Sequence, residues 1–503
     1  MINVVCIALL WIKKKAFDSI NRNALWFKLI KDNICGKFLK VVRGIYDQVK
    51  SCVKNCNNYS DFFEIAAGLK QGERLSPILF SLYINDLEQH FKDNVGGGIK
   101  LFDVCFTLLL FADDMLICGQ SPKELQDNLD QLSDYCDKWG LNVNTEKTKI
   151  VVFRKRGKLR QYENWQYKGK SIEIVDEFNY LGILFRYTGS FIKHRQFVHD
   201  KALKALNMLM YKLRQREVTP KIALQLFDAF VLPIINYGSA IWGFGIHREI
   251  ETIHLKFCKF ILGVKRNASS VGVYGELGRY PLYVNRYSNM IKYWFKIITS
   301  ENPLIITVYN SSLEDCYRGK VNWVTNIKSM LDRYGLGYIF NNPTKDNIPL
   351  IKKRIADDFI QKWHSDLRTS EMLILYKELK KEFAYERYLD YVIPKKKKMN
   401  YTKIRISNHN LHVQTGRYTR PITERRERKC LLCDENDIED EFHFIFKCEL
   451  YKDIREIYIK RYYRNRPSMF KFLQLLSQVN VINLCKFIHR AMEMRNRSIR
   501  NVQ

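Results

Sequence analysis

The sequence predicts an α+β fold, an antiparallel sheet with helices on one face, followed by a long helical region that ends in a small metal-binding module. Three observations carry this. Short apolar, β-compatible runs interleave with helical stretches up to about residue 185. Helical patterning dominates from Phe191 onward. Finally, Cys430, Cys433, His443 and Cys448 fall in one short stretch with the spacing Cys-x2-Cys-x9-His-x4-Cys.

The elements follow in order. Met1 to Trp11 is apolar but too short to span a bilayer, and lysines follow it where a secretory signal would place them first. It reads as a buried strand. In "GLKQGERLSPILFSLYINDLEQHF" a glycine-flanked turn leads into a helix, with Ser76 as N-cap and Pro77 at the first helical position. "VCFTLLLFADDMLICG" reads as a strand-turn-strand hairpin around Ala112, Asp113 and Asp114. "SPKELQDNLDQLSDYCDKWG" is a helix opened by a Ser121/Glu124 capping box and ended by Gly140, with Leu125, Leu129, Leu132, Cys136 and Trp139 as its apolar stripe. The strand "KTKIVVF" and a hairpin at "FNYLGILF" follow. Further on, Thr219 caps a helix with Pro220 at its first position, and Pro233 is expected to bend it. "PKKKK", Pro394 to Lys398, reads as a solvated linker.

With 46% hydrophobic and 13% aromatic residues the 503-residue chain can bury real cores, which excludes wholesale disorder. A formal charge of +30 points to a polyanionic partner, nucleic acid or an acidic membrane surface. The 59 Tyr and Phe and 8 Trp residues can supply base-stacking platforms. Thirteen scattered cysteines do not form a disulfide framework and suit a reducing, intracellular setting, nuclear and cytoplasmic. No segment reaches transmembrane length without charges, so no membrane partner is expected.

Two adjacent aspartates at the tip of an apolar hairpin are costly unless a cation compensates them. Hard ions such as Mg²⁺ take carboxylate oxygens together with substrate phosphates, and a pair of them can clamp an in-line phosphoryl displacement. Asp113 and Asp114 are therefore candidate metal ligands.

"AFDSINR" (Ala16 to Arg22), "GLKQGERLSPILF" (Gly68 to Phe80) and "FADD" (Phe111 to Asp114), in that order and spacing, resemble the reverse transcriptases of non-LTR, LINE-type retrotransposons. The similarity continues through "WGLNVNTEKTKIVVF", "FNYLGILF" and "VLPIINYGSAIWG" to the terminal Cys/His cluster. Group II intron and telomerase-like polymerases share the "QG" and "DD" blocks but not that cluster. The resemblance implies a right-hand polymerase fold, with a palm at 1–185, a helical thumb-like region at 186–300, and a helical region with a basic linker at 301–424. A zinc-knuckle-like module at 425–450 and a helical tail at 451–503 complete it.

It also implies roles. Asp113 and Asp114 match the paired Mg²⁺ (or Mn²⁺) ligands, and Phe17 matches the aromatic under the incoming sugar. Gln71 and Gly72, with Arg74 beside them, match the loop that contacts nucleotide and template. Lys147 or Lys149 stands where a lysine nears the leaving pyrophosphate, and a cation there stabilises developing charge. The implied activity is RNA-directed DNA synthesis, with RNA template, DNA primer or target, and dNTPs as partners.

The chain departs from that pattern in two ways. It starts at the first catalytic block, so the fingers and any endonuclease are expected to be missing and apolar palm surface to be exposed. More pointedly, the catalytic aspartate of the first block lies six residues before the final Asp of Ala-Phe-Asp, and that position is Ile12, not Asp18. Asp18 is too far along the chain to replace it. A site with two carboxylates in place of three is expected to be inactive, which leaves a non-catalytic nucleic-acid-binding remnant as the alternative. Trp11-Ile12 is what a one-base frame shift through Val-Asp-Phe codons would leave, and nucleotide sequence across that stretch tests the idea.

In the terminal module three thiolates and an imidazole make a closed tetrahedral Zn²⁺ site from Cys430, Cys433, His443 and Cys448. The acidic run Asp434 to Glu441 argues against phosphate contact by that loop, so flanking Arg425, Arg426 and Arg428 are the candidates for it.

Overall fold

The computed structural model describes residues 4–11, 17–93, 97–112, 114–154 and 163–502, with 4–11, 501 and 502 described by backbone alone. The chain divides into two compact units, 1–194 with 301–311, and 195–300 with 312–503.

The first unit is built on a five-stranded sheet. Its strands are β1 (Val4–Trp11), β2 (Leu108–Phe111), β3 (Asp114–Gly119), β4 (Lys149–Arg154) and β5 (Glu173–Ile174). The order is β5-β4-β1-β3-β2, so the first strand in sequence is the middle one in space. The pairings β4–β1, β1–β3 and β3–β2 are antiparallel, whereas β5 joins β4 in parallel. The sheet is thus mixed at one edge and not wholly antiparallel as expected. β5 is only two residues long and returns from a loop, so its direction carried no sequence signal.

Alternation along the strands sends Ile117, Ile150 and Val152 into the main core. There they join helices α1 (Arg22–Lys31), α2 (Gly36–Tyr46), α3 (Ser76–Tyr83), α4 (Leu87–Asp93) and α5 (Pro122–Trp139). The intervening Val151 and Phe153 face the other way, against Phe178 and Tyr180 of the hairpin formed by β6 (Glu177–Tyr180) and β7 (Ile183–Arg186). That hairpin turns through Leu181 and Gly182, at φ 48° and 78°, the left-handed pair of a tight two-residue turn.

α5 forms as its sequence directs. Ser121 Oγ accepts from Glu124 N–H at 3.2 Å, and Gly140 closes the helix at φ 68°. The Glu124 carboxylate reaches one residue further back than a capping box requires, to Gln120 N–H at 2.9 Å. Ser76, by contrast, is not an N-cap. It lies inside α3, with its hydroxyl donating to the Lys70 carbonyl at 2.6 Å, so it ties the preceding loop to the helix. α2 leaves Phe38, Val41 and Ile45 exposed on one face.

The second unit is helical. Thr219 caps α7 (Pro220–Phe230), α6 being Ile192–Arg214. Pro233 does not bend that helix. It starts a separate one, α8 (Leu232–Asn236), because α7 has already ended at Phe230. The core of this unit contains α9 (Arg248–Leu262), α10 (Ser270–Leu277), α11 (Leu282–Ile298), α12 (Asn347–Thr369), α13 (Lys395–Arg405) and α14 (Ile482–Val502). A buried ion pair, Arg405 to Glu276 at 2.7 Å, connects α13 to α10, and the Trp363 indole donates to the Val271 carbonyl at 2.8 Å.

The lysine run is the other departure from expectation. Lys395 to Lys398 form the first turn of α13 and not a linker. Lysine is a good helix former, and the apolar residues that follow, Tyr401 and Ile404, are buried. Lys398 itself donates to the Leu389 carbonyl at 2.6 Å. No helix among the described residues is long and apolar enough to cross a membrane.

Candidate active site and metal centre

Pairing register brings the candidate palm residues to one end of the sheet. Trp11, the last residue of β1, lies opposite Asp114, the first of β3, and Phe111 at the end of β2 pairs with the same Asp114. Ala112 makes the hairpin turn at φ 53°. Ile12 and Asp113 lie outside the described residues. Asp114 is half-buried. Burial, with the Asp114 charge adding to it, pushes the Tyr180 phenol up.

The two candidate lysines separate at this end. Lys149 opens β4, pairs across from Leu9, and has its ammonium held by Glu173 of the edge strand. Lys147 lies two residues earlier, exposed, in a turn organised by Asn144, whose carbonyl and side-chain oxygen accept from its N–H. Of the two, Lys147 has the more open position.

The "AFDSINR" and "GLKQG" blocks lock together. Leu69 N–H donates to the Phe17 carbonyl at 2.6 Å and Gly68 N–H to the Ile20 carbonyl at 2.9 Å. Gln71 Nε2 donates to the Asp18 carboxylate at 3.0 Å. The Arg22 guanidinium donates to the carbonyls of Gly68 (3.0 Å), Ile65 (2.9 Å) and Tyr46 (3.1 Å). A Cβ on Gly68 would sit 2.6 Å from the Asp18 backbone, so only glycine fits there. Gly72 is at φ 88°, and Arg74 is exposed in the same loop. Phe17 packs on Phe80 with ring centroids 5.0 Å apart, which gives it a packing role. Sequence reasoning missed Arg22 as the organiser of this loop. Its only local signal was its place at the end of the quoted block.

In the helical unit Cys430, Cys433, His443 and Cys448 present ligand atoms all within 4.8 Å of one another. Cys430 Sγ lies 4.0 Å from Cys448 Sγ, and Cys433 Sγ lies 3.4 Å from His443 Nε2. A tetrahedral zinc ion needs separations of about 3.8 Å between sulfurs and about 3.6 Å between sulfur and nitrogen, so the donor set fits that ion. The neighbouring Cys448 thiol pulls Cys430 down to about 4, which favours a thiolate in the cluster. His443 opens a short π-helical turn, His443–Lys447.

The acidic residues of the loop serve structure. Glu439 is buried and accepts from Arg495 of α14 at 2.6 and 2.7 Å. Glu441 pairs with His409 at 2.7 Å, and that contact holds its carboxyl down against the upward push of burial. Arg428, expected to touch phosphate, is buried and spends its guanidinium on the carbonyls of Thr423 and Val413. Arg425 and Arg426 are exposed.

Comparison with known proteins bears on the first unit. Residues 12–185 match the family model for reverse transcriptase (RNA-dependent DNA polymerase). The chain is 29% identical over 183 residues to the Drosophila melanogaster "Retrovirus-related Pol polyprotein from type-2 retrotransposable element R2DM", covering 35% of this chain and 17% of that one. It is 24% identical over 249 residues to the "Probable RNA-directed DNA polymerase from transposon BS" of the same fly, covering 48% and 27%. The corresponding X-element protein matches at 22% over 288 residues, covering 55% and 30%. The matched stretch therefore spans less than a third of these relatives' own lengths. A telomerase from Candida albicans, solved with a fragment of telomeric RNA, aligns over 73% of this chain and 49% of its own at 14% identity and a TM-score of 0.29, too slight a likeness to build on. Residues 12–185 thus match the reverse transcriptase family model, and the relatives they resemble are reverse transcriptases of non-LTR, LINE-type retrotransposons.

Proposed function

We propose that this chain derives from an RNA-directed DNA polymerase of a LINE-type element, and that in its present sequence it binds nucleic acid without extending a primer. The observation that carries the reading is the pairing of Trp11 with Asp114. The residue after Trp11 in the chain is Ile12, the position at which the family pattern has a carboxylate.

Asp113 and Asp114 would hold a divalent ion, Mg²⁺ or Mn²⁺, which supplies Lewis-acid polarisation of phosphoryl oxygens. The chain's own contributions are positional. Arg22 and Gly68 fix the loop that carries Gln71, Gly72 and Arg74. Lys147 offers an exposed cation at the hairpin end of the sheet. Without a third carboxylate, primer 3′-hydroxyl and ion are poorly aligned, and a loss of several kcal/mol in transition-state stabilisation follows. The charge of +30 and the Cys/His cluster support retained binding to RNA template and DNA primer or target, in the nucleus and cytoplasm.

The test is primer extension on an RNA template with dNTPs and Mg²⁺ or Mn²⁺, using the chain and its Asp113→Ala, Asp114→Ala variant. No extension by either is expected, together with measurable RNA binding. Extension that vanishes in the variant would overturn the non-catalytic reading, and absence of nucleic-acid binding would overturn the whole proposal.

A further inference from the structure

The helical unit contains a basic cleft of about 450 Å³ that brings residues from distant segments to Arg425 and Arg428. Arg368 and Ser370 come from the end of α12 and the residues after it, and Lys377 from the helix Ile374–Leu379. Arg417, Arg425 and Arg428 close it from the segment leading into the Cys/His cluster. Five basic side chains thus face one carboxylate residue, Glu371.

Arg368 and Arg425 are exposed, but two other guanidiniums of the cleft are held in place. Arg428 is 6% exposed and locked by carbonyl contacts at 2.8 to 2.9 Å. Arg417 donates through Nη2 to the Glu371 carbonyl at 2.8 Å, yet its Nε is buried with no hydrogen-bond partner among the described residues. Arg368, Lys377, Arg417, Arg425 and Arg428 crowd like charges around one cleft, so they repel one another. Guanidinium forks held rigidly around a cavity match the oxygens of a phosphate, which would take the idle Nε–H and neutralise the repulsion.

We propose that this cleft is a phosphate-binding site that grips the sugar-phosphate backbone of a nucleic-acid strand beside the Cys/His module. The strand, as opposed to free phosphate, rests on the nucleic-acid-binding reading above and on the cleft's junction with residues 425–430, which lead directly into the cluster.

The experiment compares the full chain with an Arg417→Ala, Arg425→Ala variant, leaving the structural Arg428 intact. An Arg461→Ala, Arg466→Ala variant removes two exposed charges elsewhere and serves as the control. Binding of a single-stranded RNA oligonucleotide and of a DNA duplex is followed by fluorescence anisotropy at several KCl concentrations. The cleft variant should lose about ten-fold in affinity and about one to two units of salt slope beyond the control. Equal losses in the two variants would overturn the proposal. In a second arm, thermal unfolding with and without inorganic pyrophosphate reads the cleft directly. Stabilisation present in the parent chain and lost in the cleft variant supports a phosphate site. If neither protein then binds nucleic acid, the strand is overturned as the occupant together with the functional reading. Unchanged far-UV circular dichroism shows that the variants fold.

Discussion

Trp11 and Asp114 are cross-strand partners at the open end of the sheet, and Ile12 follows Trp11 directly in the chain. Ile12→Asp is therefore the substitution expected to restore catalysis. Metal-dependent primer extension should rise by about 10³-fold or more, the equivalent of several kcal/mol. The gain should disappear when Asp114→Ala is added. An Ile12→Asp protein that folds, binds template and still fails to extend would show that the defect lies elsewhere.

Gly68 and Asp18 touch backbone to backbone, and Gly68 also has φ 83°. Gly68→Ala meets both a steric clash and a strained conformation, so a stability loss of about 3 kcal/mol in urea denaturation is expected. Gly72→Ala has open space around its Cβ and only the positive φ to resist, so about 1 kcal/mol is expected there. Equal losses at the two glycines would contradict the close approach.

Cys430→Ser or Cys448→Ser should reduce bound zinc from about one ion per chain toward none by elemental analysis. A chelator should expose the segment around residues 430–448 to limited proteolysis. Zinc retention should also fail as pH drops, because protons compete for the thiolates and His443. A chain whose purified form carries no zinc and whose proteolysis ignores chelators would refute this.

Lys28 makes the first unit pH-sensitive. Its ammonium donates to Asp86 at 2.6 Å, to the Tyr83 carbonyl at 2.6 Å and to the Tyr135 hydroxyl at 2.7 Å, and lies 3.7 Å from the Trp139 ring centre. Burial nevertheless brings it down to about 8, only partly offset by Asp86. Between about pH 8 and 10.5 the unfolded chain keeps a proton that the folded chain releases, so this group's contribution to stability rises with pH across that window and is flat below it. Tyr83, pushed up to about 12 by burial, stays neutral there. Unfolding midpoints of the parent chain and Lys28→Met, taken from pH 7 to 10, should differ by an amount that changes only above about 8.

What the sequence by itself determined is local. The Ser121 cap and Gly140 stop, the β6–β7 turn and the four-ligand spacing of the Cys/His cluster all depend on residues within a short stretch, so their chemistry can be read directly. The register of Ala-Phe-Asp is local too, and the proposal that Ile12 stands at a carboxylate position rests on it.

Only the tertiary structure decided which residues meet from afar. It put β1 between β3 and β4, made Arg22 the clamp on the residue-65-to-68 loop, buried Arg428 and set Arg417 across from Arg368, and turned the lysine run into a packed helix. Each of these depends on burial and backbone hydrogen bonding between segments tens to hundreds of residues apart. No window of sequence contains both partners of such a contact, so no local pattern could have announced it.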